Sequence, residues 1–316
     1  MYNGKVIDSH FHAYAGEDCG LFIKDLLKNA KISAIGIASI PNALAHSEHF
    51  YNSEALKLKK EMPDNIYFFG ALDYSDKSYL EGKVDFAEQA KRLFEAGADG
   101  MKMLEGKPNA RKALDIPLYS EVFDTYYSYM ERNSYPILMH VADPEEFWDP
   151  EKTPAIAKKH GWFWGDGTYP EKEQLYRESE TLLEKFPKLK ITFAHFYFLS
   201  ADIQRASKFL DKWKNVSFDI TPGWEMYDNF TLKSDEWREF FINYQDRIIF
   251  GTDNTPPLKS TYQDQLDNCI KNIVRIRYFL ETDKEILRGH GLNLDSEILE
   301  KIYSGNFLRL LRIHQG

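Results

Sequence analysis

Asp8-Ser9-His10-Phe11-His12 closes the first apolar run of the chain, Val6-Ile7. In a strand, successive side chains alternate faces, so His10 and His12 point the same way with Phe11 opposite. Two imidazoles one pleat apart can share a metal ion, and neutral imidazole is the commonest metal ligand. Asp8 lies on that face, one step deeper. A lone His-x-His is equally a structural feature of many chains. The discriminating question is whether other strands end in the missing ligands.

Three further apolar runs do. His140 follows Ile137-Leu138-Met139, His195 follows Ile191-Thr192-Phe193-Ala194, and Asp253 follows Ile248-Ile249-Phe250-Gly251-Thr252. Singly, a strand-end histidine is more often a hydrogen-bonded structural residue, and an aspartate there simply caps a turn. Jointly, four histidines and one aspartate fall at one rim. Three or four N/O ligands with an open position bind Zn²⁺ and bring the pKa of a bound water to about 7. A carboxylate beside that water takes its proton, and a neighbouring imidazole polarises the group under attack.

The elements that must carry these residues are eight short apolar runs: 5–12, 33–40, 66–72, 100–104, 136–140, 191–195, 216–220 and 247–251. Their near-continuous apolar character suits parallel strands buried on both faces. Amphipathic patterns separate them, at 21–30, 53–61, 85–96, 117–133, 170–186, 201–213, 235–244 and 261–280, with 296–311 closing the chain. Ser53 reads as a cap, Gly97 as a C-terminal glycine and Pro117 as a first-turn proline. Eight alternations predict a single-domain α/β protein, a (β/α)8 TIM barrel over residues 1–316. A doubly wound sheet would show a glycine-rich phosphate loop after its first strand. Long connections follow strands two (41–52), five (141–169) and seven (221–234), on the face where barrels build active sites.

The ordered set resembles the amidohydrolase superfamily. The resemblance runs from Asp8-Ser9-His10-Phe11-His12 through His140-Val141-Ala142-Asp143-Pro144 and His195 to Phe250-Gly251-Thr252-Asp253 and Asn306. It is strongest to the branch holding metal-dependent hydrolases and aminocarboxymuconate-semialdehyde-type decarboxylases. The resemblance implies that His10, His12, His140 and Asp253 ligate a divalent metal, with Asp253 also the general base. It implies that His195 ligates a second metal or polarises the substrate. Lys102, in Gly100-Met101-Lys102-Met103-Leu104, occupies the strand whose lysine is carbamylated in binuclear members. The expectation here is one ion, with Lys102 an unmodified substrate contact or a partner of Glu105, and two ions if it is carbamylated. Zn is the first expectation for the metal, with Mn or Fe as alternatives.

Trp148, Trp162, Phe163 and Trp164, flanked by Gly161 and Gly165, gather on the connection after strand five, and Trp224 on that after strand seven. Trp162, Trp164 and Trp224 are therefore expected to wall the substrate; alternatively the aromatics mark a subunit interface, giving a homodimer. Lys107 and Arg111 are the cations nearest the rim and are expected to be solvated. His46 and His49 are expected at the surface, and His160, His290 and His314 away from the site.

The expected activity is metal-dependent hydrolysis of an amide, lactone or ester of a small molecule. A metal-dependent non-oxidative decarboxylase is the alternative, and a non-catalytic binding barrel a third reading that the full ligand set opposes. A net charge of −9 argues against nucleic acid as partner. No run of about 18 apolar residues exists to span a membrane. Two cysteines, Cys19 and Cys269, and no basic start followed by an apolar stretch lead to a cytoplasmic expectation.

Overall fold

Each of the eight apolar runs forms a strand in the computed structural model, which describes residues 2–13, 18–41, 52–257 and 260–312. They are β1 (Ile7–Phe11), β2 (Ala34–Ala38), β3 (Ile66–Gly70), β4 (Gly100–Gly106), β5 (Pro136–Val141), β6 (Lys190–Phe193), β7 (Val216–Asp219) and β8 (Ile248–Ile249). All neighbours pair in parallel in sequence order. The barrel closes through the segment after β8. Ser9 N–H donates to Phe250 O (3.1 Å), His12 N–H to Asn254 O (2.9 Å) and Asp253 N–H to His10 O (2.8 Å). Side chains reinforce the seam: the Asp8 carboxylate accepts the Thr252 hydroxyl at 2.5 Å and the Thr252 N–H at 3.0 Å.

The helices are α1 (Cys19–Ala30), α2 (Asn52–Glu61), α3 (Phe86–Ala96), α4 (Pro108–Leu114), α5 (Asp124–Arg132), α6 (Ala155–Lys159) and α7 (Lys172–Lys185). They continue as α8 (Ile203–Lys212), α9 (Met226–Leu232), α10 (Ser234–Asn243), α11 (Tyr262–Glu281), α12 (Ser296–Glu300) and α13 (Asn306–Arg312). Among the described residues no helix is long and apolar enough to cross a membrane. Residues of β2 show how the layers divide. Ile35 and Ile37 join the large core against the helices, whereas Ala34 and Ala38 join a smaller cluster with Leu138, Ile249, Phe307 and Leu311.

Several boundaries differ from the sequence reading. Residues 117–120 form a turn, closed by Ser120 N–H to Pro117 O, and α5 starts only at Asp124. Ser53 lies inside α2; it is Asn52 that ties this end down, exchanging two hydrogen bonds with the backbone of Ala71. Strand β6 stops at Phe193, two residues before His195. Short α4, α6 and α9 sit in connections that read as loops, being too brief to show a helical period. The last helix is broken by a π turn at Lys301–Gly305, where the Ile302 carbonyl accepts the Phe250 N–H at 2.9 Å. Asn306 continues the splice, donating to the carbonyls of Gln245 and Ile248 at 2.7 Å each.

Arg111, on α4, is not solvated. Its Nε–H bonds both oxygens of the buried Glu178 carboxylate of α7, at 3.0 and 3.2 Å. The same carboxylate accepts from Gln174 and from the Leu118 N–H. Removing one member of a buried pair strands the other's charge. Arg111→Met is therefore expected to lower unfolding free energy by about 3–5 kcal/mol, read by urea denaturation; a loss under 1 kcal/mol would refute this.

Candidate active site

His10 and His12 bring their Nε2 atoms within 3.2 Å of each other. The opposite nitrogens are already engaged: His10 Nδ1 with Asp219 Oδ2 at 2.8 Å, His12 Nδ1 with the Ala38 carbonyl at 2.7 Å. A carbonyl oxygen only accepts, so His12 carries its proton on Nδ1, and the buried Asp219 carboxylate assigns His10 likewise. Both Nε2 atoms then present lone pairs to one point. Asp253 Oδ1 lies 3.1 Å from His12 Nε2 and 3.7 Å from His10 Nε2. Two ligands at about 2.0–2.1 Å from a tetrahedral ion stand roughly 3.3 Å apart, so the spacing suits a divalent cation. His10, His12 and Asp253 form a three-residue cluster of metal-ligating type.

Electrostatics agree with a site built for positive charge. Burial, then Lys102, hold the His10 imidazole far below its ordinary value. Burial alone would raise Asp253, but the hydrogen bond and charge of His12, with His10 and His195, hold it well below the carboxylate range. Asp253 has φ 58°, a left-handed conformation that an aspartate tolerates better than most residues and that turns the chain at the barrel rim.

His195 reaches the site by an uncommon backbone. Residues 195–198 all have φ between 49° and 55°, a left-handed turn directly after β6. Asp219 fixes its start, Oδ1 accepting the His195 N–H at 2.8 Å and the Thr221 N–H at 3.1 Å. His195 Nδ1 faces the Thr221 carbonyl at 3.3 Å, which leaves Nε2 as an acceptor. Burial pulls its pKa to about 3, so the ring is neutral.

His140 stands beside His195, ring centroids 4.9 Å apart, but its Nε2 points to the strand-five connection. There it meets the Ala142 carbonyl at 2.9 Å and Asp143 Oδ1 at 3.2 Å. The other Asp143 oxygen accepts the indole N–H of Trp164 at 3.0 Å. His140 thus borders the cluster of His10, His12 and Asp253 without joining it.

Lys102 is fully buried, its Nζ 2.9 Å from His10 Nε2. Burial lowers its pKa to about 8. The Glu105 carboxylate takes the Tyr74 hydroxyl at 2.6 Å, and burial pushes its pKa up to about 7.

A cavity of about 370 Å³ opens above these groups, bordered by His140, His195 and Asp253, and by Trp162 and Trp224. Trp164 instead lies behind the wall, 1 % exposed and packed on Tyr169. A Cβ at Gly165 would collide with the Trp148 carbonyl, so the glycine permits a close packing. Lys107, expected in solvent, lines the cavity. His160 stacks on Trp162, whereas His290 bonds the Gly291 carbonyl and does not line the cavity. His46, His49 and His314 lie outside the described residues. The sequence reading missed Asp219; its signal was an acidic residue in the apolar run Val216-Ser217-Phe218-Asp219-Ile220.

The sequence profile of the amidohydrolase family matches residues 7–313. No curated protein matches the chain significantly. Among solved structures, an uncharacterised TIM-barrel protein from Bordetella bronchiseptica is similar at TM-score 0.65 and 14% identity, covering 99% of this chain and 100% of its own. A dihydroxybenzoic acid decarboxylase from a Polaromonas species, with bound manganese and the inhibitor 2-nitroresorcinol, gives 0.59 and 13%, covering 99% and 98%. A protein described as a probable 2-pyrone-4,6-dicarboxylic acid hydrolase from Acinetobacter baumannii, with citric acid bound, gives 0.53 and 13%, covering 98% and 100%. At these identities the structures establish the shared barrel, and the family profile establishes the lineage: the chain belongs to the amidohydrolase family and is an enzyme of that superfamily.

Proposed function

We propose that this enzyme is a metal-dependent hydrolase acting on an amide, lactone or ester carbon of a small molecule. The observation that carries the reading is the pair of lone-pair-bearing Nε2 atoms of His10 and His12, 3.2 Å apart and faced by Asp253. These three residues would hold one divalent cation, with Zn the first candidate and Mn or Fe compatible. When bound, the cation supplies Lewis acidity toward the attacking water and the carbonyl.

The chain's own groups then have distinct tasks. Asp253, ionised and facing the cavity, takes a proton from the attacking water and passes it to the leaving group. His195, with Nδ1 directed at Thr221, offers Nε2 as a second acceptor that orients that water. This differs from the polarising role read from the sequence, which needs a proton on Nε2. His140 lines the cavity and holds the strand-five connection through Asp143. Lys102 is an uncarbamylated amine at the base of the site.

The decarboxylase reading stays alongside, supported by the aromatic cavity and by structural similarity to a decarboxylase. In it, Asp253 first takes a proton from solvent and then passes it to the carbon that loses CO2. Release of ¹⁸O from labelled water into product marks hydrolysis; CO2 release without that label marks decarboxylation.

Asp253→Asn is expected to reduce turnover by about 10²–10⁴-fold, the usual worth of a general base. Because Asp253 is also one of the three metal-holding residues, turnover is compared at saturating metal with occupancy checked by plasma mass spectrometry; a fully loaded, active variant would remove Asp253 from this role. Asp219→Ala is expected to weaken metal affinity by about 10–100-fold, because His10 loses the group that fixes its tautomer. Competition with a fluorescent chelator reads that change, and unaltered affinity would contradict it.

A further inference from the structure

We infer that Asn272 is a positioning residue: its side-chain amide clasps the backbone on both sides of Asp253 and sets that carboxylate toward His10 and His12. The inference rests on the proposed reading in giving Asp253 to the cation. Strand β8 is two residues long, so Asp253 stands beyond the regular ladder, at φ 58°. A left-handed aspartate keeps its conformation only where the surroundings over-determine it. One hold comes from β1 and the residue after it, through Asp253 N–H to His10 O and His12 N–H to Asn254 O. The second comes from α11.

Gln265, Cys269 and Asn272 succeed one another on α11 at spacings of four and three, which places them on one face of the helix. That face meets the segment carrying Asp253. Gln265 Nε2 donates to the Thr255 carbonyl at 2.8 Å, and the Cys269 carbonyl accepts from Asn254 Nδ2 at 3.2 Å. Asn272 Nδ2 lies 3.0 Å from the Thr252 carbonyl and 3.0 Å from Asn254 Oδ1. An NH2 group carries two protons and a carbonyl only accepts, so each proton serves one of these oxygens. Asp253 is the residue between them. Thr252 and Asn254 are also tied to each other, Asn254 N–H donating to Thr252 Oγ1 at 3.1 Å, and that hydroxyl donates onward to Asp8 at 2.5 Å. Asparagine suits a helix interior poorly, because its side chain competes for backbone hydrogen bonds. Within the 20-residue α11 that cost is offset by the clasp. Without the Asn272 amide, the peptide between Thr252 and Asp253 loses its hold on the helix side. Its rotation carries the carboxylate off its 3.1 Å approach to His12 Nε2.

The test measures Zn²⁺ affinity of the full chain by chelator competition, and the visible absorption of the Co²⁺-loaded protein, which reports the ligand set and needs no substrate. Asn272→Leu removes both donors at similar volume. Asn272→Asp puts an acceptor in place of the NH2 group and serves if the first variant does not fold. Each is expected to weaken Zn²⁺ about 10-fold, the lower end for a group that orients a ligand, and to shift the Co²⁺ bands. In an Asp253→Ala background the same substitutions should change Zn²⁺ affinity by less than about two-fold, the mark of action through Asp253. Ile273→Val, which loosens the core side of α11, should leave both readouts as in wild type. Three results would overturn the inference: unchanged affinity and bands in the Asn272 variants; an equal loss in the Asp253→Ala background; or an equal loss in Ile273→Val. Hydrogen exchange of the metal-free protein separates the clasp from the proposed site. Asn272→Leu should speed exchange of the His12 and Asp253 amides about ten-fold, roughly the worth of one lost hydrogen bond. If Asp253→Ala binds Zn²⁺ as wild type does, the metal role of Asp253 fails; faster exchange in Asn272→Leu then still supports the clasp, and unchanged exchange overturns it.

Discussion

Asp219 is fully buried at the end of β7, and both of its oxygens are used. One takes the ring proton of His10 from β1; the other takes the backbone protons of His195, after β6, and Thr221. Burial raises its pKa, while His195, Lys102 and these hydrogen bonds oppose the rise. A single carboxylate thereby sets three things that the site requires. It chooses the His10 tautomer, so Nε2 carries a lone pair rather than a proton. It fixes the first residue of the turn carrying His195. It also places negative charge behind the histidine, which raises the basicity of a ligating imidazole.

That turn shows how strain is concentrated where chemistry is placed. Left-handed backbone costs a non-glycine residue roughly 1–2 kcal/mol, and here four follow one another, three of them aromatic. The turn persists because its surroundings over-determine it. Tyr176 O–H donates to the Tyr197 carbonyl at 2.9 Å, and Tyr197 shares a hydrogen bond with Ser179 of α7. Phe196 is enclosed by Phe218, Phe230 and Trp237. The two residues left facing the cavity are His195 and Phe198. Packing on the helix side of the sheet thus holds a strained backbone on the ligand side.

The strands were legible in the sequence because parallel strands buried on both faces leave long apolar runs, and each polar residue interrupting them is conspicuous. The same logic exposed His10, His12 and Asp253, which do converge. It failed where a residue's environment is set by distant partners. Nothing near Arg111 in sequence announces Glu178, 67 residues on. Nothing near Trp164 announces that its indole turns inward to Asp143. The left-handed turn after β6 contains no glycine, so it carries no local signature, and its first residue, His195, read as the strand end. Asp219 was visible as an acid within an apolar run but lacked the histidine company that marked the others.

The strand-five connection changes most between sequence and structure, and the change bears on specificity. Phe147, Ala157 and Trp164 form a small core of their own, with Trp148, Trp162 and Tyr169 packed on it. The Trp164 N–H closes onto the Phe147 carbonyl at 2.7 Å, and Gly165 admits the Trp148 backbone at contact distance. A segment with its own core and backbone ties behaves as a fixed wall rather than a flap, since opening it would expose the buried Trp164 ring. The wall is coupled to the site through Trp164, Asp143 and His140 in series, at 3.0 and 3.2 Å. Replacing Trp224, half exposed at the cavity and outside this core, therefore alters the ligand surface alone. Replacing Trp164, which never touches the cavity, loosens Asp143 and with it the orientation of His140.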